Sequence, residues 1–211
     1  EKNTKMYKEK IVIKVGTNVM TNKDNRIVRP VLRELVRQIA ELYERDIMTI
    51  LVSSGSVIAG KEVLGESNIE NRTQKRQVYS AIGQPRMMRL YYNIFHDFGM
   101  KCAQVLPTKR DFSPGIHRQN MINCCMGLLS EGVIPIANED DAVSVTMSMF
   151  SDNDELASLI AQLLDVDKLI ILTDIDGLYT GHPEEVNSNL IKNVNPNEDL
   201  DKYIQDNNKA E

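Results

Sequence analysis

The 211-residue sequence has few of the residues that build disulfide scaffolds and metal centres. It contains three cysteines, two of them adjacent, and three histidines that lie far apart along the chain. Because the cysteine count is odd and no pair has the spacing of metal ligands, the sequence predicts reduced thiols in a cytoplasmic protein. The scattered histidines likewise predict no metal site formed by the protein.

The chain also lacks the signals of membrane and nucleic-acid proteins. No apolar run approaches the ~18 residues of a transmembrane helix, and no apolar segment follows the lysine-rich N-terminus as it does in a signal peptide. The net charge is −5 and the basic residues are scattered, which argues against a nucleic-acid partner. With 42% hydrophobic and 26% charged residues, the composition is that of an ordinary globular protein, with one domain expected and two possible.

Three common functional motifs are absent as well. Neither a Walker loop, Gly-x-x-x-x-Gly-Lys-Ser/Thr, nor a dinucleotide fingerprint, Gly-x-Gly-x-x-Gly, occurs in the sequence. A serine nucleophile lacks support because Gly-x-Ser-x-Gly is missing and no histidine follows a predicted strand. These absences argue against P-loop nucleotide binding, Rossmann-type cofactor binding and serine hydrolase chemistry.

The most informative segment that is present is the first predicted strand, over 11–15. Its apolar residues predict a strand buried on both faces, yet Lys14 lies near its carboxyl end. A buried lysine is costly unless its ammonium meets an anion, and Gly16 is expected to let the backbone turn tightly and approach a ligand. The alternative is a lysine that extends to solvent at the sheet edge, followed by an ordinary turn.

Strands and helices alternate along the rest of the chain, which predicts an α/β fold with a mainly parallel sheet. The predicted strands span 11–15, 47–52, 101–106, 133–137 and 168–172, and the predicted helices span 30–45, 57–64, 74–98, 119–131 and 155–164. Pro135 predicts an edge or strand-start position for the fourth strand, and Pro85 predicts a break or kink in the third helix. The segment 142–150 is predicted to favour strand, and the tail from Pro183 is predicted to be partly disordered.

Polar side chains collect where four of these strands end. They are Lys14, Ser54, Asp141 and the pair Thr173 and Asp174. Because ligands of open α/β sheets bind beyond the carboxyl ends of the strands, we expect these residues to lie close together. Phosphoryl transfer fits a site with a cation, several carboxylates and the backbone N–H donors of a serine-rich loop before a helix. The alternative is that a serine in such a loop, or a polar residue in 152–154, is an ordinary helix cap.

Six segments in order resemble the glutamate 5-kinase family of the amino acid kinase superfamily. They are 12–19 (VIKVGTNV), 52–60 (VSSGSVIAG), 81–84 (AIGQ), 136–143 (IANEDDAV), 152–154 (DND) and 172–179 (LTDIDGLY). The resemblance implies the three-layer α/β/α sandwich of the amino acid kinase fold. It also implies ATP-dependent phosphorylation of the γ-carboxylate of L-glutamate to L-glutamyl 5-phosphate, the first step of proline biosynthesis, with ATP and Mg²⁺ as cofactors.

The resemblance also implies roles for single residues. Lys14 and Asp154 are the expected catalytic residues, Lys14 at the ATP phosphates and Asp154 as the carboxylate that orients the catalytic lysines. The expected glutamate-binding residues are Ser54, Asp141 and Asn153, and the expected ATP-binding residues are Lys14, Gly16, Thr173 and Asp174. No residue is expected to ligate a metal. The implied partners are L-glutamate and ATP, with inhibition by proline possible, a homo-oligomeric state, and neither nucleic acid nor membrane.

The sequence departs from the family in two respects. Asp140 stands where the family commonly has asparagine, and the glycine-rich Gly-Gly-Met-x-Thr-Lys segment with its second catalytic lysine does not occur in 1–211. We therefore expect a single amino acid kinase domain truncated at its nucleotide-binding end, without the C-terminal RNA-binding-like domain of some members. Such a chain should keep glutamate binding and lose most ATP affinity and turnover. The alternatives are a sibling kinase with another acceptor, such as aspartate or UMP, and a non-catalytic amino-acid-binding fragment.

Overall fold

A computed structural model describes residues 7–139, 142, 153–182, 184–195 and 197. The chain forms two compact units, Glu1–Leu172 and Thr173–Glu211. Two predictions lie outside the described residues: the substrate-binding role of Asp141, and the strand tendency of the segment that follows Ala142. The family departure at Asp140 lies outside them too.

The first unit alternates strands and helices nearly as the sequence predicts. The strands are β1 (Glu9–Val15), β2 (Ile47–Ser53), β3 (Lys101–Val105), β4 (Val133–Ala137) and β5 (Lys168–Leu172). The helices are α1 (Thr17–Met20), α2 (Arg29–Glu44), α3 (Ser56–Leu64), α4 (Arg72–Asp97), α5 (Ile116–Ser130) and α6 (Asn153–Leu163), with a 3₁₀ turn at Lys109–Phe112. None of the helices in the described ranges is both long enough and apolar enough to cross a membrane.

The five strands form one sheet in the order β3-β4-β2-β1-β5, and every neighbouring pair is parallel. Helices cover both faces, so the predicted α/β/α architecture with a parallel central sheet is confirmed. On one face Ile11, Ile13 and Val15 pack with α2 and α4. On the other face Val12 packs with α5 and α6. This alternation follows from the two-residue period of a strand.

Pro135 does not mark an edge strand, and that prediction is wrong. β4 lies between β3 and β2, inside the sheet. The ladder between β4 and β2 pairs only Ile136 and Ala137 with Leu51 and Val52, so Pro135 lies just outside its registered part. A residue without a backbone N–H is tolerated there because the ladder to β2 begins after it.

Two other local expectations differ from the structure. α4 continues through Pro85 as one helix of 26 residues, so the sequence signal for a break is not realised. α4 packs closely along α3, and packing against a neighbouring helix can override an unfavourable residue. Directly after Gly16 the chain forms the short helix α1, where the sequence predicts only a turn.

The second unit contains a two-stranded antiparallel hairpin. Its strands are β6 (Leu178–Tyr179) and β7 (Leu190–Ile191). The Thr180 amide donates to the Asn189 carbonyl at 3.0 Å, and the Ser188 hydroxyl donates to the Gly181 carbonyl at 2.9 Å. The tail from Pro183, which the sequence predicts to be partly disordered, therefore contributes β7 to this hairpin.

The three cysteines are free thiols in unequal surroundings, and we expect unequal reactivity. Cys124 is exposed, whereas burial raises the pKa of Cys125 to about 12 and that of Cys102 to about 11. Because the thiolate is the reacting species, a raised pKa slows reaction near neutral pH. Titration of the folded protein with Ellman's reagent at pH 8 should show one fast thiol. Cys124→Ser should remove that fast phase, and three equally fast thiols would contradict these assignments.

Candidate functional site

The carboxyl ends of the strands align at one edge of the sheet. The register pairs Val15 with both Ser53 and Leu172, so β1, β2 and β5 end at the same level. The ladders continue one residue further, because the Ser54 amide donates to the Val15 carbonyl at 3.2 Å and the Gly16 amide donates to the Leu172 carbonyl at 3.2 Å. The polar residues that follow β1 and β2 therefore start from neighbouring backbone positions.

Lys14 lies on the same face of β1 as Val12, the face that α6 covers. Its ammonium lies 2.6 Å from Oδ1 of Asp154, in the first turn of α6. The Lys14 side chain is only 12% exposed, whereas that of Asp154 is 44% exposed. The lysine therefore does not extend freely into solvent. Its charge is held at the end of the strand by a carboxylate that solvent still reaches.

Ser54, Asn138 and Asn153 form a hydrogen-bonded cluster beside this ion pair. The Asn153 amide group donates to Ser54 Oγ at 2.7 Å and to Asn138 Oδ1 at 3.1 Å. Asn138 Oδ1 also accepts from the Glu139 amide at 2.9 Å. Since Ser54 and Asn153 are 99 residues apart in the sequence, only the fold brings these two predicted substrate-binding residues together.

Two helix N-termini meet at this cluster. Ser54 lies two residues before α3, and Asn153 is the first residue of α6. The N-cap of α3 is Gly55, whose φ of 101° is a conformation that favours glycine, and no side chain caps this end of the helix. The first N–H groups of a helix carry partial positive charge and attract anions. The arrangement therefore suits a carboxylate or a phosphate.

Gly16 occupies its place for a reason that differs from the predicted one. Its φ of −77° and ψ of 158° are extended values that any residue adopts, so no tight glycine turn occurs here. A Cβ at this position would lie 3.3 Å from the Lys14 ammonium. The absence of a side chain therefore leaves room beside the charged group.

Three predicted site residues remain, Thr173, Asp174 and Asp141. Thr173 and Asp174 begin the second unit, where the Thr173 hydroxyl donates to Asp174 Oδ1 at 3.4 Å. Asp141 lies outside the described residues. The ATP-binding role of Thr173 and Asp174 and the substrate-binding role of Asp141 stay predictions.

Two residues of the site were not assigned roles from the sequence. Asn138 is 7% exposed and accepts a hydrogen bond from the Asn153 side-chain amide. Gln84 of α4 donates to the Glu139 carbonyl at 3.4 Å. Both belong to segments that carry the family resemblance, 136–143 and 81–84. That resemblance was the available signal, because neither position has a spacing pattern that indicates a contact.

Metal binding by the protein finds no support in the part of the chain that the structure describes. No three His, Cys, Asp or Glu side chains there lie close enough together to hold an ion. The charged centre of the site is a Lys–Asp pair instead.

Comparison with known proteins finds several relatives of this chain. The amino acid kinase family model matches residues 9–210. The glutamate 5-kinase of Bacteroides thetaiotaomicron is 41% identical over 196 residues, which cover 93% of this chain and 54% of that protein. The glutamate 5-kinase of Alkaliphilus metalliredigens is 40% identical over 187 residues, which cover 88% of this chain and 71% of that protein.

A third relative and a solved structure add to these matches. The glutamate 5-kinase of Chlorobaculum tepidum is 40% identical over 197 residues, which cover 93% of this chain and 54% of that protein. The chain thus spans about half the length of the Bacteroides and Chlorobaculum relatives. The isopentenyl phosphate kinase of T. acidophilum, solved with its product, superimposes with a TM-score of 0.60 at 17% identity, covering 86% of this chain and 77% of that one. At that identity the match supports the fold alone.

Proposed function

The chain belongs to the amino acid kinase family, and we propose that this protein acts within it as a glutamate 5-kinase. The reaction is transfer of the γ-phosphoryl group of ATP to the γ-carboxylate of L-glutamate, the first step of proline biosynthesis. The observation that carries the proposal is the Ser54–Asn153–Asn138 cluster beside the Lys14–Asp154 pair at one sheet edge. The relatives named glutamate 5-kinase support the choice of acceptor.

The chemistry of this reaction matches the side chains present. A carboxylate acceptor with a pKa of ~4.3 is already ionised at neutral pH, so no general base is required. Two anions must instead be held close together, which calls for cations and N–H donors. Lys14 supplies the cation at the phosphates, and Asp154 holds its ammonium in place at 2.6 Å.

The glutamate side of the site is assigned to Ser54, Asn153 and Asp141, with Asn138 as a supporting group. Ser54 Oγ accepts from Asn153, so its own proton remains to be donated, and the described residues offer no acceptor for it. A carboxylate oxygen of glutamate would be a suitable acceptor. The uncapped N-terminus of α3, next to Ser54, adds backbone N–H donors for the same charge.

The ATP side is assigned to Lys14, Gly16, Thr173 and Asp174. Mg²⁺ supplies charge neutralisation when it arrives on the nucleotide phosphates. Because the described part of the chain has no cluster of three metal-ligating side chains, we route no step through a protein-bound metal. The proposal also includes a cytoplasmic location, a homo-oligomeric state and inhibition by proline. Light scattering can test the homo-oligomeric state, and assays with added proline can test the inhibition.

The direct test of the proposal is an acceptor screen with the complete encoded protein. ADP release from ATP is measured with L-glutamate, L-aspartate and UMP, each with and without Mg²⁺. We expect ADP release with L-glutamate and not with L-aspartate or UMP. The phosphate should be found on the γ-carboxylate of glutamate. Release that depends on aspartate or UMP instead would move the protein to a sibling kinase activity, and binding of glutamate without ADP release would indicate a non-catalytic module.

Asn153→Ala should weaken glutamate binding far more than ATP binding. The substitution removes both hydrogen bonds that position Ser54 and Asn138, and with them the orientation of the Ser54 hydroxyl towards the substrate carboxylate. Hydrogen bonds to charged groups contribute roughly 1.5–3 kcal/mol, so the glutamate KM should rise about 10- to 150-fold. Steady-state kinetics with each substrate varied in turn provide the measurement.

The matched control is Asn123→Ala. Asn123 is exposed on α5 and accepts a hydrogen bond only from the neighbouring Gln119 among the contacts described. It should leave both KM values unchanged. An equal rise in the glutamate and ATP KM values for Asn153→Ala would remove Asn153 from the glutamate side.

A further inference from the structure

A buried hydrogen-bond chain leads from helix α4 to the glutamate side of the site. The Tyr91 hydroxyl lies 2.7 Å from Ser53 Oγ, and Ser53 Oγ lies 3.0 Å from the Ser54 carbonyl oxygen. A serine hydroxyl has one proton, and here it points to the carbonyl, which can only accept. Tyr91 must therefore donate to Ser53, and Ser53 must donate to the Ser54 carbonyl.

Both members of this chain are shielded from water. Tyr91 is 1% exposed and Ser53 is 4% exposed. Ser53 shares the face of β2 that Leu51 presents to α4, as the strand period requires. Burial raises the pKa of Tyr91 above its ordinary value, so its hydroxyl keeps the proton that it donates. Loss of either partner would therefore leave a buried polar atom without its hydrogen bond.

The consequence falls on Ser54. Its amide is held by the Val15 carbonyl at 3.2 Å, and its own carbonyl is held by Ser53 at 3.0 Å. The next residue, Gly55, has a φ of 101° and is the N-cap of helix α3. With its amide and carbonyl groups both fixed, Ser54 holds its Oγ where it accepts a hydrogen bond from the Asn153 side-chain amide at 2.7 Å.

We propose that Tyr91 is a positioning residue for glutamate, acting through Ser53 to hold the Ser54 peptide and hydroxyl in their binding orientation. The inference rests on the proposed function, since it names a residue that sets substrate affinity at that same site. Tyr91 itself does not contact the substrate, because its hydroxyl is engaged with Ser53 inside the core.

The test removes one oxygen atom, the Tyr91 hydroxyl, from the hydrogen-bond chain. In the complete encoded protein, Tyr91→Phe should raise the glutamate KM about 3- to 10-fold, the effect of losing one buried hydrogen bond. The kcat and the ATP KM should stay within about twofold. Ser53→Ala should have the same effect, the double variant should be no worse than either single variant, and Ser53→Thr should keep most of the affinity because it retains the hydroxyl.

Tyr79→Phe is the matched control. Tyr79 also lies on α4, is 2% exposed and donates its hydroxyl to the Gly65 carbonyl at 3.0 Å, beyond the far end of α3. It loses the same atom from an equally buried ring, so a purely structural effect would appear in both variants. The glutamate KM should be unchanged in Tyr79→Phe.

A second readout requires no substrate. Amide hydrogen exchange at Ser54 should accelerate in Tyr91→Phe and not in Tyr79→Phe. Unchanged exchange and an unchanged glutamate KM in Tyr91→Phe would overturn the inference, as would equal rises in the glutamate and ATP KM values. Failure of the unaltered protein to bind glutamate would overturn the proposed function instead, and the exchange measurement would still decide whether Tyr91 holds Ser54.

Discussion

Lys14→Ala should lower turnover by at least ~10²-fold, the size of effect seen when one preorganised electrostatic group is lost from a transition state. Lys14 carries the cation that the described structure places at the end of β1, 2.6 Å from Asp154. Charge that develops on the phosphoryl group would then lack its neutralising partner. The loss should appear mainly in kcat, because the proposed function assigns Lys14 to the charge on the phosphoryl group in transfer and not to glutamate binding. Steady-state kinetics on the complete encoded protein, with melting followed by circular dichroism, provide the measurement.

Folding should change little in this variant. Asp154 loses its ion pair with Lys14, but its side chain is 44% exposed, so water can reach the carboxylate once the lysine side chain is removed. The matched control is Lys10→Ala, on the same strand and the same face but at the opposite end. There the ammonium donates to the Leu164 carbonyl at 2.9 Å, away from the strand ends that carry the site. Lys10→Ala should keep full turnover, and near-normal turnover of Lys14→Ala would remove Lys14 from the mechanism.

Gly83→Ala should be the most destabilising single substitution that we predict. A Cβ at Gly83 would lie 1.6 Å from the Ser56 carbonyl oxygen and 2.7 Å from the Gly60 nitrogen. These are backbone atoms of α3, so no side chain can move aside, and α3 and α4 must separate. Overpacking typically costs about 1–3 kcal/mol and occasionally more, and 1 kcal/mol lowers Tm by about 2–4 °C at this chain length. We expect a Tm lower by roughly 5–10 °C, measured by calorimetry.

This substitution should also weaken glutamate binding, because α3 starts two residues after Ser54. Gly127→Ala is the matched control, since Gly127 lies inside α5 and an alanine methyl group there would point into open space. It should gain roughly 0.5–1 kcal/mol from the better helix propensity of alanine. If Gly83→Ala has the same Tm as the unaltered protein, α3 and α4 need not pack so closely.

The contrast between these two glycines illustrates a limit of sequence reasoning. Gly83 and Gly127 both lie in helices, and local propensity treats them alike. Only the position of α3 against α4 makes one of them indispensable, since a Cβ at Gly83 meets backbone and one at Gly127 meets open space. Pro135 shows the same limit. Whether its strand lies at the edge or inside the sheet depends on strand order, which the sequence pattern does not encode.

The site divides in the same way. The placement of Lys14 could be predicted, because a lysine near the end of an apolar strand requires an anion, and Asp154 is that anion. The family resemblance, which the match over residues 9–210 confirms, rests on segments whose order along the chain is visible in the sequence. Asn138 and the Tyr91–Ser53 contact were not predictable, because each depends on where a strand or helix distant in the sequence comes to lie.

The sequence by itself therefore determined the alternation of strands and helices, the parallel sheet and the residue types available for chemistry. Those features follow from local periodicity and from burial of apolar side chains, which act over a few residues. Tertiary structure alone decided strand order, the close packing of α3 on α4 and the meeting of Ser54 with Asn153 across 99 residues. The physical reason is that contacts between distant segments depend on how whole elements pack, whereas the sequence pattern of each element reports only which face is buried.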